Sequence, residues 1–395
     1  MNSALDGLRV IDISRVLAGP LCAQMLADHG ADVIKVEPPG GDETRFWGPP
    51  FFREEQSAYF TGLNRNKRNI SADLSTGDGQ QLLRRLLSGA DVLIENFKAG
   101  TLAKWGLTDD VIRADFPRLV HCRITGYGTD GPIGGAPGYD AVIQACSGLM
   151  SINGDPDGPE MRIGIPLVDI VTSQNALSGI LMALHIRERS GKGQLIDMAL
   201  LDNAMSILHP HAYTYLASGE NPKRTGVCHP TISPYETFQA ADGPFFLGVG
   251  NDRQFKSAMQ VLGANDLADD PDFATNPARV ENRDRLRERI SVLVQAWYRD
   301  DLALELTEVG VPGGPVNQIS EALQDPQVLH RQMVVNIEGY TGVGIPIKLT
   351  ENPGRVKFGP RRKGADSASI LKELGYSDDE SEALMGARVV AGIAE

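Results

Sequence analysis

The sequence predicts an α/β fold, a parallel sheet with helical crossovers joined to a smaller α+β domain. Three observations carry that prediction. Residues 8–13 and 31–36 read as buried strands on either side of a helix opened by Gly19-Pro20, which makes a β–α–β unit. Further apolar runs at 91–95, 119–124 and 194–201 alternate with segments of helical periodicity. Beyond residue 220 the texture changes, with prolines and glycines through 221–234 and then two short strand-like runs.

Bulk properties set limits on function. A length of 395 residues suits two domains, or one large domain with an insertion. The net charge of −13 argues against nonspecific binding to nucleic acid or to anionic membranes. Cys22, Cys122, Cys146 and Cys228 are scattered and form no C-x-x-C pair, as expected of reduced thiols in the cytoplasm. The N-terminal residues lack the regions of a secretory signal. No apolar run approaches ~20 residues, so no membrane span is expected.

Taken in order, Gly30 closes the first helix, and 37–57 is expected as a polar loop. Asn64-Arg-Asn-Lys-Arg68 is a basic cluster, either a solvated loop or a contact for phosphate or carboxylate. A helix is expected over about 77–87, capped by Ser75 or Thr76. Asn96-Phe97-Lys98 follows the strand at 91–95, and ligands of open α/β sheets bind beyond strand carboxyl ends. The strand at 119–124 runs into the glycine-rich loop 126–138. That loop either lets backbone approach a ligand or serves as a mobile connection. A helix is expected over 139–150. Ile163-Gly-Ile-Pro-Leu-Val-Asp169 then opens a long helix to about Arg189, with its apolar stripe at Leu177, Ile180, Leu181 and Leu184. Asp202 is expected to cap the helix after the strand at 194–201. Strands at 235–240 and 245–250 flank a turn at Asp242-Gly243, and Asn251 or Asp252 caps a helix to Leu262. The tail from 332 reads as a strand-rich piece with short helices near Ser367 and Ser377.

Few residues stand out chemically. Asp169 falls at or near a helix N-terminus, where the macrodipole favours the ionised carboxylate and the pKa should fall. Taken alone, that motif fits an N-cap. His209 and His211 lack a third ligand, so no zinc site is expected, and His121 reads as structural. There is no P-loop, no G-x-S-x-G and no H-E-x-x-H, and the β–α–β unit lacks G-x-G-x-x-G. These residues alone define a cytoplasmic two-domain α/β protein with a ligand at its glycine-rich loops, and no reaction.

An ordered set of motifs says more. Leu5-Asp-Gly-Leu-Arg-Val-Ile-Asp12, Val16-Leu-Ala-Gly-Pro20 and Gly30-Ala-Asp-Val-Ile-Lys-Val-Glu-Pro38 are followed by Asn66-Lys-Arg68 and Asp91-Val-Leu-Ile-Glu-Asn-Phe97. Pro137-Gly-Tyr-Asp140 and Gly191-Lys-Gly-Gln194 come next. Over nearly its whole length the chain resembles a family III CoA-transferase of the CaiB/BaiF group. The resemblance implies a Rossmann-like large domain formed by both chain ends, with a small α+β domain inserted. The implied bounds are 1–200 for the first part of the large domain, 201–224 for a linker helix, 225–330 for the small domain and 331–395 for the return. It also implies a homodimer of interlocked chains.

The family nucleophile matches Asp169, which implies covalent catalysis by a carboxylate on an acyl-CoA, with CoA as substrate and no tightly bound cofactor. Backbone N–H groups of a glycine-rich loop or a helix N-terminus would stabilise each oxyanion. Family CoA contacts match Leu17 and Ala18, then Ala72, Asp73, Leu74 and Ser75, then Asn96, Phe97, Lys98 and Lys104, and finally Pro137, Gly138, Tyr139 and Asp140. Pro38 replaces the arginine of formyl-CoA transferases, which leaves its phosphate to Arg15 or Lys67. The glycine run that covers the site in those enzymes is reduced here to Gly226. The family also holds α-methylacyl-CoA racemases, whose histidine corresponds to Tyr139, and a phenol is a poor base at neutral pH. The resemblance therefore favours a transferase over a racemase, and both over a non-catalytic CoA-binding protein. Segments such as Pro234-Tyr-Glu-Thr-Phe are similar to the branch that uses succinyl-CoA and dicarboxylates such as glutarate. An acidic acceptor needs a basic partner, for which Arg15 and Arg224 are the candidates.

Overall fold

The computed structural model describes residues 3–392. The chain divides into two compact units. The first holds the described residues up to Leu149, then Arg162–Pro210, then Pro326 onward; the second holds Met150–Met161 and His211–Asp325.

The first unit is built on a seven-stranded sheet. In chain order its strands are β1 (Arg9–Asp12), β2 (Asp32–Glu37), β3 (Lys67–Ala72), β4 (Val92–Glu95), β5 (Val120–Thr125), β6 (Leu195–Ala199) and β7 (Val390–Ala391). They lie side by side as β7-β3-β2-β1-β4-β5-β6. Every pairing is parallel except that of β7 with β3. Six strands thus follow the 3-2-1-4-5-6 order of a doubly wound sheet, whose direction of progression reverses between β1 and β4. The apolar runs that predicted strands have the burial of a sheet covered on both faces, with Val10, Ile11, Val92, Leu93 and Ile94 fully enclosed.

Four helices matter for the site: α1 (Ala18–Asp28), α2 (Gly77–Ser88), α3 (Asp140–Cys146) and α4 (Leu167–Ser190). α2 is amphipathic, with Leu82, Leu83, Leu86 and Leu87 buried and the Thr76 hydroxyl accepting the Gly79 N–H at 3.1 Å. By length and composition α4 passes for a membrane span, against the expectation from the sequence. It packs on α1, β5 and β6 and buries Val168, Thr172, Ala176, Ile180 and Ala183, as a core helix does. α3 is shorter than the expected 139–150, because the chain turns through Gly148 at φ +94°.

The largest departure from expectation is β3. Lys-Arg-Asn-Ile-Ser-Ala carries only one strongly apolar residue, Ile70, yet the strand pairs with β2 and β7. Its charges, and those just before it, are consumed inside the fold. Lys67 Nζ donates to Asp12 (2.9 Å), Asn64 (2.9 Å) and the Pro20 carbonyl (2.8 Å). Arg65 pairs with Asp28 at 2.7 Å, and Arg68 with Asp32 at 2.8 Å and Glu373 at 2.6 Å. The cluster at 64–68 is therefore neither a solvated loop nor a ligand contact. The 37–57 segment is also no simple polar loop: Arg45 is fully buried in a fork on Glu37 (2.6 and 2.7 Å), and Lys35 pairs with Asp42 at 2.9 Å.

In the second unit Tyr235–Ala240 and Gly243–Gly248 form the expected antiparallel hairpin, joined by Gly313–Pro315. Phe238, Phe245, Phe255, Leu286 and Ile290 make its core, and the Asn251 side chain caps the following helix by accepting the Gln254 N–H at 3.0 Å. Met150–Met161 groups with this unit rather than with the large domain. The Gly226 N–H donates to the Gly154 carbonyl (3.2 Å) and Arg224 pairs with Glu160 (2.9 Å). Asp202 is not a cap: Ala199 takes that position, and Asp202 lies in the first turn of Leu200–Ser206.

Candidate active site

Beyond the carboxyl ends of β1, β4 and β5 the first unit encloses a cavity of about 310 Å³. It sits at the reversal of strand order, where a sheet of this topology leaves a crevice. Arg15 to Ala18 line it after β1, Asn96 to Ala99 after β4, Thr125 and Gly126 after β5, and Gly135 to Asp140 along the glycine-rich loop. Asp169 completes it.

Each wall has a physical support. Asn96 holds the β1–α1 loop by accepting the Arg15 N–H (2.8 Å) and donating to the Arg15 carbonyl (2.7 Å). Lys35 Nζ donates to the Ser14 carbonyl at 3.0 Å, and Lys67 ties Asp12 to the first turn of α1. Buried cations thus fix a loop in which Val16 adopts φ +66°, a conformation a β-branched residue rarely takes. The glycine-rich loop closes at its base: a Cβ on Gly126 would lie 2.8 Å from Gly138 Cα. No side chain fits there.

Asp140 and Asp169 carry the electrostatics. The Val168 N–H donates to Asp140 Oδ2 at 2.8 Å and the Asp169 N–H at 3.2 Å, and Gln144 donates to Asp140 Oδ1 at 2.6 Å. Asp140 therefore takes the helix-terminal donors of α4 that the sequence had assigned to Asp169. Asp169 is only 9 % exposed, and among the described residues nothing donates a hydrogen bond to its carboxylate. Burial first, and the Asp140 charge second, push its pKa up to about 7. This overturns the expected fall: the dipole end is occupied by another carboxylate. It also removes two N–H groups of the α4 terminus from the candidates for an oxyanion hole.

Of the residues expected at a CoA site, the structure brings Arg15, Leu17, Ala18, Asn96, Phe97, Lys98, Pro137, Gly138, Tyr139 and Asp140 to one cavity with Asp169. Tyr139 is 62 % exposed there, as the residue before α3. Ala72 and Leu74 are buried, Asp73 accepts from the Ser75 N–H (3.0 Å) and hydroxyl (2.6 Å), and none of these four lines the cavity. Lys104 ends the short helix Thr101–Lys104 outside the lining, beside a second cavity of about 300 Å³ that shares Phe97 and Lys98. Lys67 is buried and fully engaged, so it does not replace the arginine lost at Pro38. Arg224 pairs with Glu160 and donates to the carbonyls of Asp155 and Gly158 in the second unit.

Sequence reasoning missed Glu43, Thr125 and Leu200 in the lining. It also missed Tyr59, whose phenol is pushed well above its ordinary pKa by burial and then by the charges of Asp169, Asp140 and Asp42. Tyr59 meets Trp47 edge to face at 5.1 Å. No periodicity or motif marks these residues, because Glu43 and Tyr59 lie in single-turn helices and Thr125 and Leu200 at the ends of longer elements, where no period builds up.

A doubly wound sheet with the buried Asp169 carboxylate at its ligand crevice places this protein in the α/β class with a ligand site at the switch of strand order. The chain belongs to CoA-transferase family III, whose family model matches residues 5–367. It is 46 % identical over 381 residues to the succinate–glutarate CoA-transferase of Agrobacterium fabrum, covering 94 % of this chain and 95 % of that one. It is 36 % identical over 393 residues to the human succinyl-CoA:glutarate CoA-transferase, covering 98 % of this chain and 90 % of the human one. Among solved structures, a CaiB/BaiF family protein from Brucella suis superposes with a TM-score of 0.87 at 44 % identity, covering 95 % of this chain and all of the other.

Proposed function

We propose that this enzyme moves CoA from succinyl-CoA to a dicarboxylic acid through covalent intermediates on Asp169. An Asp169 carboxylate oxygen attacks the thioester carbonyl, the C–S bond breaks, and CoA leaves as thiolate from an aspartyl–succinyl anhydride. The thiolate attacks the aspartyl carbonyl, giving an aspartyl-CoA thioester and free succinate. An acceptor carboxylate then attacks that thioester and expels CoA thiolate. Attack of the thiolate on the acceptor carbonyl of the new anhydride releases acyl-CoA and regenerates Asp169.

The observation that carries this reading is the isolation of the Asp169 carboxylate. It is buried, accepts no hydrogen bond among the described residues and lies beside Asp140. Those features disfavour the anion, while the anhydride and thioester forms of the same side chain are neutral. The environment therefore lowers the barrier to acylation relative to a solvated carboxylate. Gly126 and Gly135 to Gly138 offer backbone close to the reacting carbonyl. Lys98 is suited to a phosphate of CoA as a mobile point charge.

We also propose that the enzyme is a cytoplasmic homodimer. Leu181, Met182 and Ile186 leave an apolar stripe exposed on α4, which a second copy would cover, and the free, exposed Cys146 suits a reducing compartment.

The test is an assay with succinyl-CoA and a panel of mono- and dicarboxylates. Transfer to glutarate is expected, with Asp169→Ala reducing it by roughly 10³-fold or more. Full turnover by Asp169→Ala contradicts the mechanism. Solvent deuterium entering the α-carbon of a 2-methylacyl-CoA without transfer would mark a racemase, and CoA binding with neither activity a non-catalytic protein.

A further inference from the structure

The dicarboxylate reading above implies a second anionic end that must be held while the first reacts at Asp169. The cavity is unfavourable for it, because Glu43, Asp140 and Asp169 already face the same space. The cavity lining offers Lys98 and Arg15 as cations.

Arg15 is the better built for a carboxylate. Its backbone is clamped on both sides by the Asn96 amide at 2.8 and 2.7 Å. Its guanidinium lies over the Phe97 ring, 5.4 Å from the centroid, and Phe97 is held edge to face by Trp105 at 5.3 Å. A guanidinium held by a ring through cation–π attraction does not use its N–H groups for that contact, and two of them match the two oxygens of a carboxylate. Among the described residues no ion pair engages Arg15. Lys98, an ammonium on a flexible stem, has no such fork.

We propose that Arg15 anchors the far carboxylate of the substrate and makes the cavity selective for dicarboxylates over monocarboxylates of equal length. The inference rests on the transferase reading. Both half-reactions use Asp169, so one arginine reads the succinyl group of the donor and then the acceptor.

Glutarate and pentanoate share a five-carbon chain and differ at the far end, carboxylate against methyl. The experiment measures kcat/KM for each acid with succinyl-CoA in the wild type, Arg15→Met and Arg15→Lys. The glutarate-to-pentanoate ratio is expected to fall by roughly 10- to 100-fold in Arg15→Met, the worth of a charge-assisted hydrogen-bond pair. Arg15→Lys recovers part of it, and added guanidinium restores glutarate turnover to Arg15→Met. The ratio is insensitive to any loss of folded enzyme, which scales both acids equally. A ratio within about threefold of wild type in Arg15→Met overturns the assignment of Arg15 alone. A wild type that does not prefer glutarate to pentanoate overturns this inference, and one that transfers CoA to no acid of the panel overturns the transferase reading as well.

Discussion

Asp140 accepts the backbone N–H of Asp169 at 3.2 Å while its charge opposes that of the Asp169 side chain. One carboxylate thus caps the helix that presents the other. The cap fixes where Asp169 sits, and the repulsion disfavours its anion.

The pH dependence of catalysis follows from that pair. In the proposed mechanism the nucleophile is the Asp169 carboxylate, so kcat/KM should fall on the acid side with an apparent pKa near 7. Asp140→Asn keeps an oxygen for the Val168 and Asp169 N–H groups and removes the charge. The acid limb should then move to lower pH, part of the way only, since burial is the larger cause. A pH–rate profile of both enzymes checks this. An acid limb that stays in place in Asp140→Asn would show that the charge of Asp140 is not felt at Asp169.

Stability should carry the same signature. The folded-state pKa of Asp169 lies above its ordinary value of 3.8, so the folded chain binds the proton more tightly. That contribution is complete below about pH 4 and is lost as pH rises towards about 7. The gap corresponds to at most roughly 4 kcal/mol. Asp169→Asn, neutral throughout, should be more stable than wild type at pH 8, with the difference shrinking towards pH 5. Urea unfolding at the two pH values reads it directly.

How much of this was legible beforehand depends on where the signal lay. Apolar runs such as Val92–Glu95 announced their strands, because burial inside a sheet demands them. The apolar content of α4 announced a helix but not its buried face: of the expected stripe Leu177 and Ile180 are buried, whereas Leu181 is exposed. Lys67–Ala72 did not, since its charges are neutralised by Asp12, Asp32 and Glu373, partners far away in sequence. The same blindness reversed the pKa of Asp169. A helix N-terminus can be read from 163–174, but Asp140 arriving from another helix to occupy it cannot. The residues that converge on the cavity came from the family resemblance, and Glu43 and Tyr59 had no signal of either kind.

The buried cations behind the β1–α1 loop give a further prediction. Lys67→Met leaves Asp12 enclosed without its partner at 2.9 Å, and should cost roughly 3–5 kcal/mol of stability. Asp12→Asn with Lys67→Met should recover much of that loss. Thermal unfolding of the two single variants and the double variant measures the coupling.

The base of the glycine-rich loop is a place where one methyl group matters. In Gly126→Ala the new Cβ would fall 2.8 Å from Gly138 Cα, so the two ends of the loop must separate. The acyl-CoA KM should rise well above wild type, and steady-state kinetics with succinyl-CoA would show it. An unaltered KM would mean that the loop does not shape the CoA site.

The covalent role proposed for Asp169 is open to direct capture. Enzyme incubated with succinyl-CoA alone, then quenched with hydroxylamine, should carry an aspartyl hydroxamate that peptide mass spectrometry locates at Asp169. Asp169→Ala should carry none. Rapid turnover by wild type with no trapped adduct, or a hydroxamate at another carboxylate, would contradict the account.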